Sequence, residues 1–262
     1  MPVSSSKIVL LRTQEYFNKI SSVATDIKDK QSVFKFVEGI FDLGLWDNMI
    51  CWPLRSSQNA GVGNTVYSLG GLGTYNGTLV NGPTWGVDGM LLSSTSKITT
   101  SLAGWGAAPQ SMFGVIKTNS DSNSGDINFA GSDDFNSRSF SVGAPLGSKS
   151  RGLWTVRNGV TTCNYIGDSE IPLNSFCGFS VSQNSTNLAN FFINDQLISS
   201  SSLLPWDGGI SGGNMNLIQA FSISATVYVP LVVLFPNTSL TGNHSNVYSL
   251  YKQTLGQGLG LP

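Results

Sequence analysis

The chain after about residue 50 consists of short β-type runs separated by clusters of Gly, Asn, Ser and Asp. Such runs at regular spacing, with no helical segment between them, favour an antiparallel β-sandwich over a parallel sheet with crossover helices. The predicted strands cover residues 75–80, 90–92, 112–117, 127–130, 139–142, 153–156, 161–166, 178–181, 191–193, 222–229 and 231–235. Pro230 predicts a break between the last two strands or a sheet edge, because proline cannot donate a ladder hydrogen bond.

The first 47 residues follow a different pattern and carry 12 of the 29 charged residues of the chain. Apolar residues recur there at helical spacing and predict two helices. The first begins at the cluster from Ser4 to Ser6, and the second runs from Ser32 to about Gly44. Their apolar stripes contain Tyr16, Ile20, Val23 and Ile27 in the first helix, and Val33, Phe36, Val37, Ile40 and Phe41 in the second.

This change of pattern divides the chain into an N-terminal helical arm, residues 1–47, and a β-sandwich, residues 48–262. Two alternatives stay open for the arm, because each helix has one apolar stripe that needs a partner. The helices form a hairpin packed on the rest of the domain, or they serve in docking or oligomerisation. The C-terminal region is predicted to form one more short helix, with Thr241 or Asn243 as its N-cap. The Gly-rich end that follows is predicted to be extended. The apolar residues of the helix are Val247, Leu250, Tyr251 and Leu255.

Charge and composition exclude several classes of function. Only 11% of residues are charged, against about 25% in an ordinary soluble domain, and the net charge is −1. Nucleic-acid binding usually needs a clustered basic surface, so DNA and RNA are not expected partners. The apolar run at residues 8–11 is too short for a secretion signal, and no stretch approaches the roughly 18 apolar residues of a membrane span. Cys51, Cys163 and Cys177 are expected to be buried thiols.

Two segments resemble a known family. The first contains Tyr67-Ser-Leu-Gly-Gly-Leu-Gly, then Tyr75-Asn-Gly-Thr-Leu-Val-Asn-Gly-Pro-Thr-Trp85, Asp88-Gly-Met and an apolar stretch around Ile98. The second contains Pro230-Leu-Val-Val-Leu-Phe, Ser239-Leu-Thr-Gly and Val247-Tyr-Ser-Leu-Tyr-Lys. Together they resemble the opening and closing strands of concanavalin A-like, laminin-G-like jelly rolls. The resemblance implies a jelly-roll sandwich, a fold that hosts lectins, glycan hydrolases, adhesion modules and virion proteins. Trp85 is expected to fill the space between its two sheets.

Catalytic side chains are sparse in the β region. The hydrolases of the resembled fold carry a Glu-x-Asp-x-x-Glu strand, whereas this region contains one glutamate, Glu170. The single histidine, His244, lies just before the predicted C-terminal helix, where it is expected to be exposed. No Gly-x-Ser-x-Gly turn accompanies it, so a serine nucleophile is not indicated. We therefore predict that the protein is not an enzyme.

Two kinds of binding site are indicated by loop residues. Asp121, Asn123 and Asp126 alternate around a turn and are candidate ligands for calcium, because Ca²⁺ prefers oxygen ligands; the alternative is a solvated hairpin loop. No other cofactor is expected. The candidate sugar-binding residues are Trp105, Trp206 and Asp207, since loop aromatics stack on sugar rings beside polar groups. The alternative for both tryptophans is a partly buried loop anchor.

The resemblance implies a non-enzymatic virion component. A jelly roll preceded by a helical arm is similar to modules of tailed-bacteriophage structural proteins, which implies a capsid decoration protein, a head fibre or a tail-associated adhesin. The expected partners are other virion proteins, further copies of the chain in a homo-oligomer such as a trimer, and a host-surface glycan. Assembly into the virion would take place in the host cytoplasm, without membrane insertion. The alternative is a carbohydrate-binding lectin domain outside a virion.

Overall fold

The fold comes from a computed structural model that describes residues 5–21, 29–102, 109–119, 126–131, 138–143, 151–157, 160–167, 172–185, 188–202, 214–221, 223 and 225–262. Its helices are α1 (Ser5–Ser21), α2 (Lys30–Asp42) and α3 (His244–Gln253), with a 3₁₀ turn at Trp46–Asn48. The first strands are β1 (Ile50–Pro53), β2 (Thr65–Val66), β3 (Gly77–Val80), β4 (Met90–Leu91), β5 (Lys97–Thr100), β6 (Gln110–Thr118), β7 (Asp126–Gly131) and β8 (Arg138–Gly143). The later strands are β9 (Arg151–Arg157), β10 (Val160–Gly167), β11 (Cys177–Gln183), β12 (Leu188–Ile193), β13 (Gln196–Ser202), β14 (Asn216–Phe221) and β15 (Val227–Pro236).

The strands form two antiparallel sheets. Sheet I has the order β1-β15-β6-β11-β12-β13, and β4 also pairs with β15. Sheet II has the order β10-β9-β8-β7-β14-β5-β3-β2. The chain is therefore mainly β, with two antiparallel sheets and a few helices. No helix in the described ranges is long and apolar enough to cross a membrane.

The nine predicted strands between residues 75 and 193 all fall on strands of the two sheets. The prediction for residues 222–229 is wrong in part, because the described residues 223, 225 and 226 lie outside any strand and β15 begins only at Val227; residues 222 and 224 lie outside the described residues. Pro230 does not separate two strands, since β15 continues through it between β1 and β6. The register of β15 with β6 is irregular between Tyr228 and Leu231, and such a bulge tolerates a residue that lacks an N–H.

The main core lies between the two sheets. The rings of Phe129 from sheet II and Phe179 from sheet I meet edge to face, with 4.6 Å between their centroids. Trp52 is fully buried in this core and donates from Nε1 to the carbonyl oxygen of Tyr75 at 2.8 Å. Trp85, predicted to fill this space, is half-buried at the margin of the core, and its Nε1 donates to Gly63 at 3.1 Å. Among the tryptophan side chains that the structure describes, Trp52 is the one buried in this core.

A second core covers the outer face of sheet I. Phe36 and Ile40 of α2 are fully buried in it, together with Phe113 of β6, Phe235 of β15 and Tyr251 of α3. The helices therefore pack on the sheet, which corresponds to the packed hairpin among the two alternatives for residues 1–47. A role of this segment in docking or oligomerisation stays a prediction.

The C-terminal segment was predicted to be extended, and this prediction is wrong. Turns cover residues 254–258, and Leu255, Leu259 and Leu261 are buried in the second core. The starts of α2 and α3 were predicted to within a few residues. Helix α2 begins after Asp29 rather than at Ser32, and α3 begins after Asn243. The segment stays in place because its leucines occupy apolar space that the helices leave open.

Arg55 links the C-terminal segment to the sandwich. Its guanidinium donates to the carbonyl oxygens of Val87 at 2.8 Å, Leu255 at 3.0 Å and Gln257 at 2.9 Å. We expect Arg55→Met to lower the free energy of unfolding by about 2 kcal/mol, because three carbonyl groups lose a charged donor. Urea unfolding checks this. Arg12→Met is the matched control, since among the described residues Arg12 makes only an exposed ion pair with Glu15 at 3.2 Å, and the change should alter stability by less than about 0.5 kcal/mol. Equal effects of the two changes would contradict this role of Arg55.

Candidate functional site

Five of the six binding residues predicted from the sequence lie outside the described residues. These are Trp105, Trp206, Asp207, Asp121 and Asn123, and Glu170 lies outside them as well. Asp126 is the first residue of β7, where its backbone pairs with Phe221 and Gly143. Within the described ranges, no three His, Cys, Asp or Glu residues come together as a metal site. The calcium and sugar sites at these residues stay predictions.

The outer face of sheet II presents a different set of polar residues. In β7, Ile127 and Phe129 belong to the core between the sheets, and Asn128 lies between them in sequence. Side chains alternate across a strand, so Asn128 faces away from that core. Its partner in β14 is Gln219, which is flanked by the core residues Ile218 and Ala220. Two amide residues therefore lie side by side on the outer face.

The register extends this pair into a row across the sheet. Asn128 pairs with Ser141 of β8, Ser141 with Trp154 of β9, and Trp154 with Asn164 of β10. We call the five backbone positions that this register aligns, Gln219, Asn128, Ser141, Trp154 and Asn164, the polar row. It combines one aromatic residue with four uncharged hydrogen-bonding residues, and none of its members carries a charge.

Burial varies along this face, since Gln219 is partly exposed whereas Asn128 and Asn216 are covered. Asn128 and Asn216 are both fully buried, although the register places them on the face away from the core. Asn216 accepts a hydrogen bond from Thr99 at 3.0 Å across β5. The Oε1 atom of Gln219 is buried and accepts no hydrogen bond from any residue that the structure describes. A buried acceptor without a donor costs about 1–3 kcal/mol, so this atom is suited to a donor from a ligand.

The polar row was not predicted from the sequence, because the binding residues were expected in loops. The available signal was the single polar residue inside an apolar strand, as in Ile127-Asn128-Phe129 and Ile218-Gln219-Ala220. Such a position marks the outward face of a strand whose other face is core. Pairing between β7, β8 and β9 cannot be read from spacing alone, so the alignment of Asn128 with Trp154 needed the structure.

His244 is fully buried, so the prediction of an exposed histidine is wrong. Its Nδ1 lies 2.7 Å from Oγ of Ser180, and its Nε2 bonds to the carbonyl oxygen of Asn194. The ring stacks on Phe192 with 4.2 Å between centroids. Burial lowers the pKa of His244, against the opposing effects of the Asn194 hydrogen bond and the Asp195 carboxylate. In the sequence this histidine lies in a Gly-Asn-His-Ser segment that is typical of a turn. That local pattern does not indicate that α3 packs the imidazole against sheet I.

The pair of Ser180 and His244 does not form an accessible nucleophile. A catalytic serine needs an Oγ that reaches substrate, and Ser180 is fully buried on β11 beneath α3. Its hydroxyl instead donates to the imidazole, which is a satisfied buried pair. Beside this pair lies a groove of about 290 Å³ between the β12–β13 turn, Tyr248 and Pro262.

The chain matches no protein-family model and no curated protein sequence. Its fold is similar to solved botulinum neurotoxin binding domains. The serotype D binding domain is 13% identical with a TM-score of 0.55, covering 79% of this chain and 52% of that one. The serotype G binding domain is 12% identical with a TM-score of 0.56, covering 78% and 51%. A serotype D ligand-binding domain in complex with N-acetylneuraminic acid is 13% identical, with a TM-score of 0.55 and coverage of 79% and 52%. The chain spans about half the length of these structures, and the likeness is one of fold.

Proposed function

We propose that this chain is a non-enzymatic carbohydrate-recognition module and that the polar row on sheet II is its binding face. The observation that carries this proposal is the buried Oε1 of Gln219, which has no donor among the described residues and lies beside Asn128, in a row whose backbone register continues to Trp154. A solved domain of similar fold is described in complex with N-acetylneuraminic acid, which supports a sugar as the ligand.

The chemistry of the polar row suits a sugar. Amide and hydroxyl groups exchange hydrogen bonds with sugar hydroxyls in both directions, since an amide offers two donors and one acceptor oxygen. The row contains no cation to pair with a carboxylate. We therefore expect neutral hexoses and N-acetylhexosamines to bind more tightly than sialic acid.

A glycan array followed by calorimetry tests this function. Wild-type protein is expected to bind a neutral saccharide, and Gln219→Ala should weaken that binding about tenfold, because a sugar hydroxyl loses its acceptor. Gln14→Ala is the matched control, since Gln14 is an exposed amide on α1 that bonds to Asn18 at 2.8 Å. Its affinity should equal that of the wild type. The proposed binding face would be refuted if the wild-type protein bound no saccharide on the array, or if Gln219→Ala and Gln14→Ala bound the saccharide with equal affinity.

A virion context is the second candidate. We infer that the module is a jelly roll of the concanavalin A-like, laminin-G-like kind in a tailed-bacteriophage structural protein that serves as decoration, fibre or adhesin. The observation in favour is the exposed pair Leu10 and Leu11 on α1, each 54% exposed, in the segment that holds much of the charge. An apolar pair on a charged helix suits contact with a neighbouring subunit. Light scattering should then report a homo-oligomer, and mass spectrometry should find the chain in purified particles.

A further inference from the structure

We propose that His244 is an acid-sensitive latch, which holds α3 and the C-terminal segment on sheet I at neutral pH and releases them when the imidazole is protonated. His244 is the single histidine of the chain and the first residue of α3. It contacts β11 through Ser180 and the β12–β13 turn through Asn194. This latch is independent of any sugar on the polar row, which lies on the other sheet.

The hydrogen bonds of His244 fix one neutral tautomer. The carbonyl oxygen of Asn194 can only accept, so Nε2 carries the proton and donates to it. Nδ1 is then the acceptor for the Ser180 hydroxyl. A second proton on Nδ1 removes this acceptor and places a charge between Phe192 and the strand surface. It also places that charge at the N-terminal end of α3, where the helix dipole disfavours a cation.

Few charged groups near His244 stabilise its protonated form. From the β12–β13 turn, the Asp195 carboxylate favours the protonated imidazole, but Asp195 is exposed to solvent. From α3 the titratable neighbour is Tyr248, whose pKa burial raises to about 12, so its hydroxyl is neutral at physiological pH. Cys177 of β11 belongs to the core between the sheets, on the other face of the strand from Ser180. β6 and β12 contribute the apolar rings of Phe113 and Phe192. Among the described residues, none of these elements brings a buried carboxylate to the imidazole.

The latch also holds the end of the chain. The Oδ1 atom of Asn194 accepts from the Gly178 N–H at 3.0 Å and lies 3.3 Å from the Tyr248 hydroxyl oxygen. The single hydrogen of that hydroxyl donates to the Pro262 oxygen at 2.8 Å, and Lys252 donates to the same oxygen at 2.6 Å. Asn194 itself adopts a left-handed φ of 52°, so its turn depends on these contacts. Movement of the imidazole therefore loosens the turn, the helix and the C-terminal segment together.

The direction of the pH effect follows from proton uptake. The docked form binds the proton more weakly than the released form, whose imidazole has the ordinary pKa of about 6.5. The latch is therefore intact above about pH 6.5, and docking weakens as the pH falls below that value toward the lowered pKa of the docked form. Within that window the opening equilibrium shifts about tenfold for each pH unit.

NMR of the single imidazole tests the latch in the unmodified chain. The expected spectrum at pH 7.5 shows the tautomer with the proton on Nε2, and the titration midpoint lies below 6.5. Asp195→Asn should lower that midpoint further, because it removes the one facing carboxylate. A midpoint at or above 6.5, or a proton on Nδ1, would overturn the latch.

Hydrogen exchange measures the release itself. Between pH 7.5 and 5.5, after correction for intrinsic exchange, the opening equilibrium of α3 amides should rise by up to about tenfold, and amides of β15 should change less. His244→Gln keeps one donor and one acceptor but cannot titrate, so its α3 amides should lose this pH dependence. The same pH dependence in both proteins would show that another group controls the helix.

Discussion

Removal of residues 1–47 is expected to give an aggregating chain rather than a folded β domain. The deletion takes away five fully buried apolar side chains from the second core, namely Ile20, Val33, Phe36, Val37 and Ile40. Each contributes about 1.5–3 kcal/mol by burial, and their sum is comparable to the whole stability of a typical domain. The outer face of sheet I, including Phe113 and Phe235, would also be exposed to water. The soluble fraction after expression and light scattering measure the outcome.

A matched variant separates the packing of the helices from any docking role. Leu10→Ser combined with Leu11→Ser changes only exposed positions of α1, so the chain should stay folded and soluble. If these leucines contact a partner, the double variant loses association without losing stability. A truncated chain that unfolds cooperatively with wild-type stability would instead show that residues 1–47 are a separable arm.

Phe179→Ala is expected to lower the free energy of unfolding by about 3–5 kcal/mol. Phe179 is fully buried between the sheets, and its ring meets Phe129 at 4.6 Å. Its ring also lies against Gly114, where an added Cβ would come within 2.7 Å of it, so the site is closely packed. Truncation leaves a cavity as well as lost contacts. Guanidinium unfolding measures the change.

Phe34→Ala is the control for this core prediction. Phe34 lies on α2 and is only partly buried against the second core, so the same truncation should cost about 1 kcal/mol. Comparable losses for the two phenylalanines would mean that the space between the sheets is not the main source of stability.

The strands were largely predictable because their signal is local. Alternation and turn residues located nine strands between residues 75 and 193, and helical spacing located α1, α2 and α3. Some of the strands that were not predicted are short or polar, such as Thr65–Val66 and the serine-rich Gln196–Ser202, whereas Asn216–Phe221 is neither and was missed as well. Tertiary pairing sustains these strands, and local propensity carries little of that information.

The burial of particular residues was less predictable than the strands. Pro230 reads as a strand break, yet the sheet accommodates it at a bulge between Tyr228 and Leu231. The sequence predicts an exposed turn residue at His244, yet its imidazole is stacked on Phe192 beneath α3. Both outcomes depend on which distant element covers the residue. The polar row has the same origin, since its members come from five strands that the sequence does not align.

Chemical-shift mapping of a saccharide titration tests the proposed binding face most directly. A neutral saccharide that binds on the array should perturb the side-chain amide signals of Gln219 and of its neighbour Asn128. The amide of Gln14, on α1, should not shift. Perturbations confined to residues outside sheet II, or none at saturating saccharide, would contradict carbohydrate recognition by the polar row.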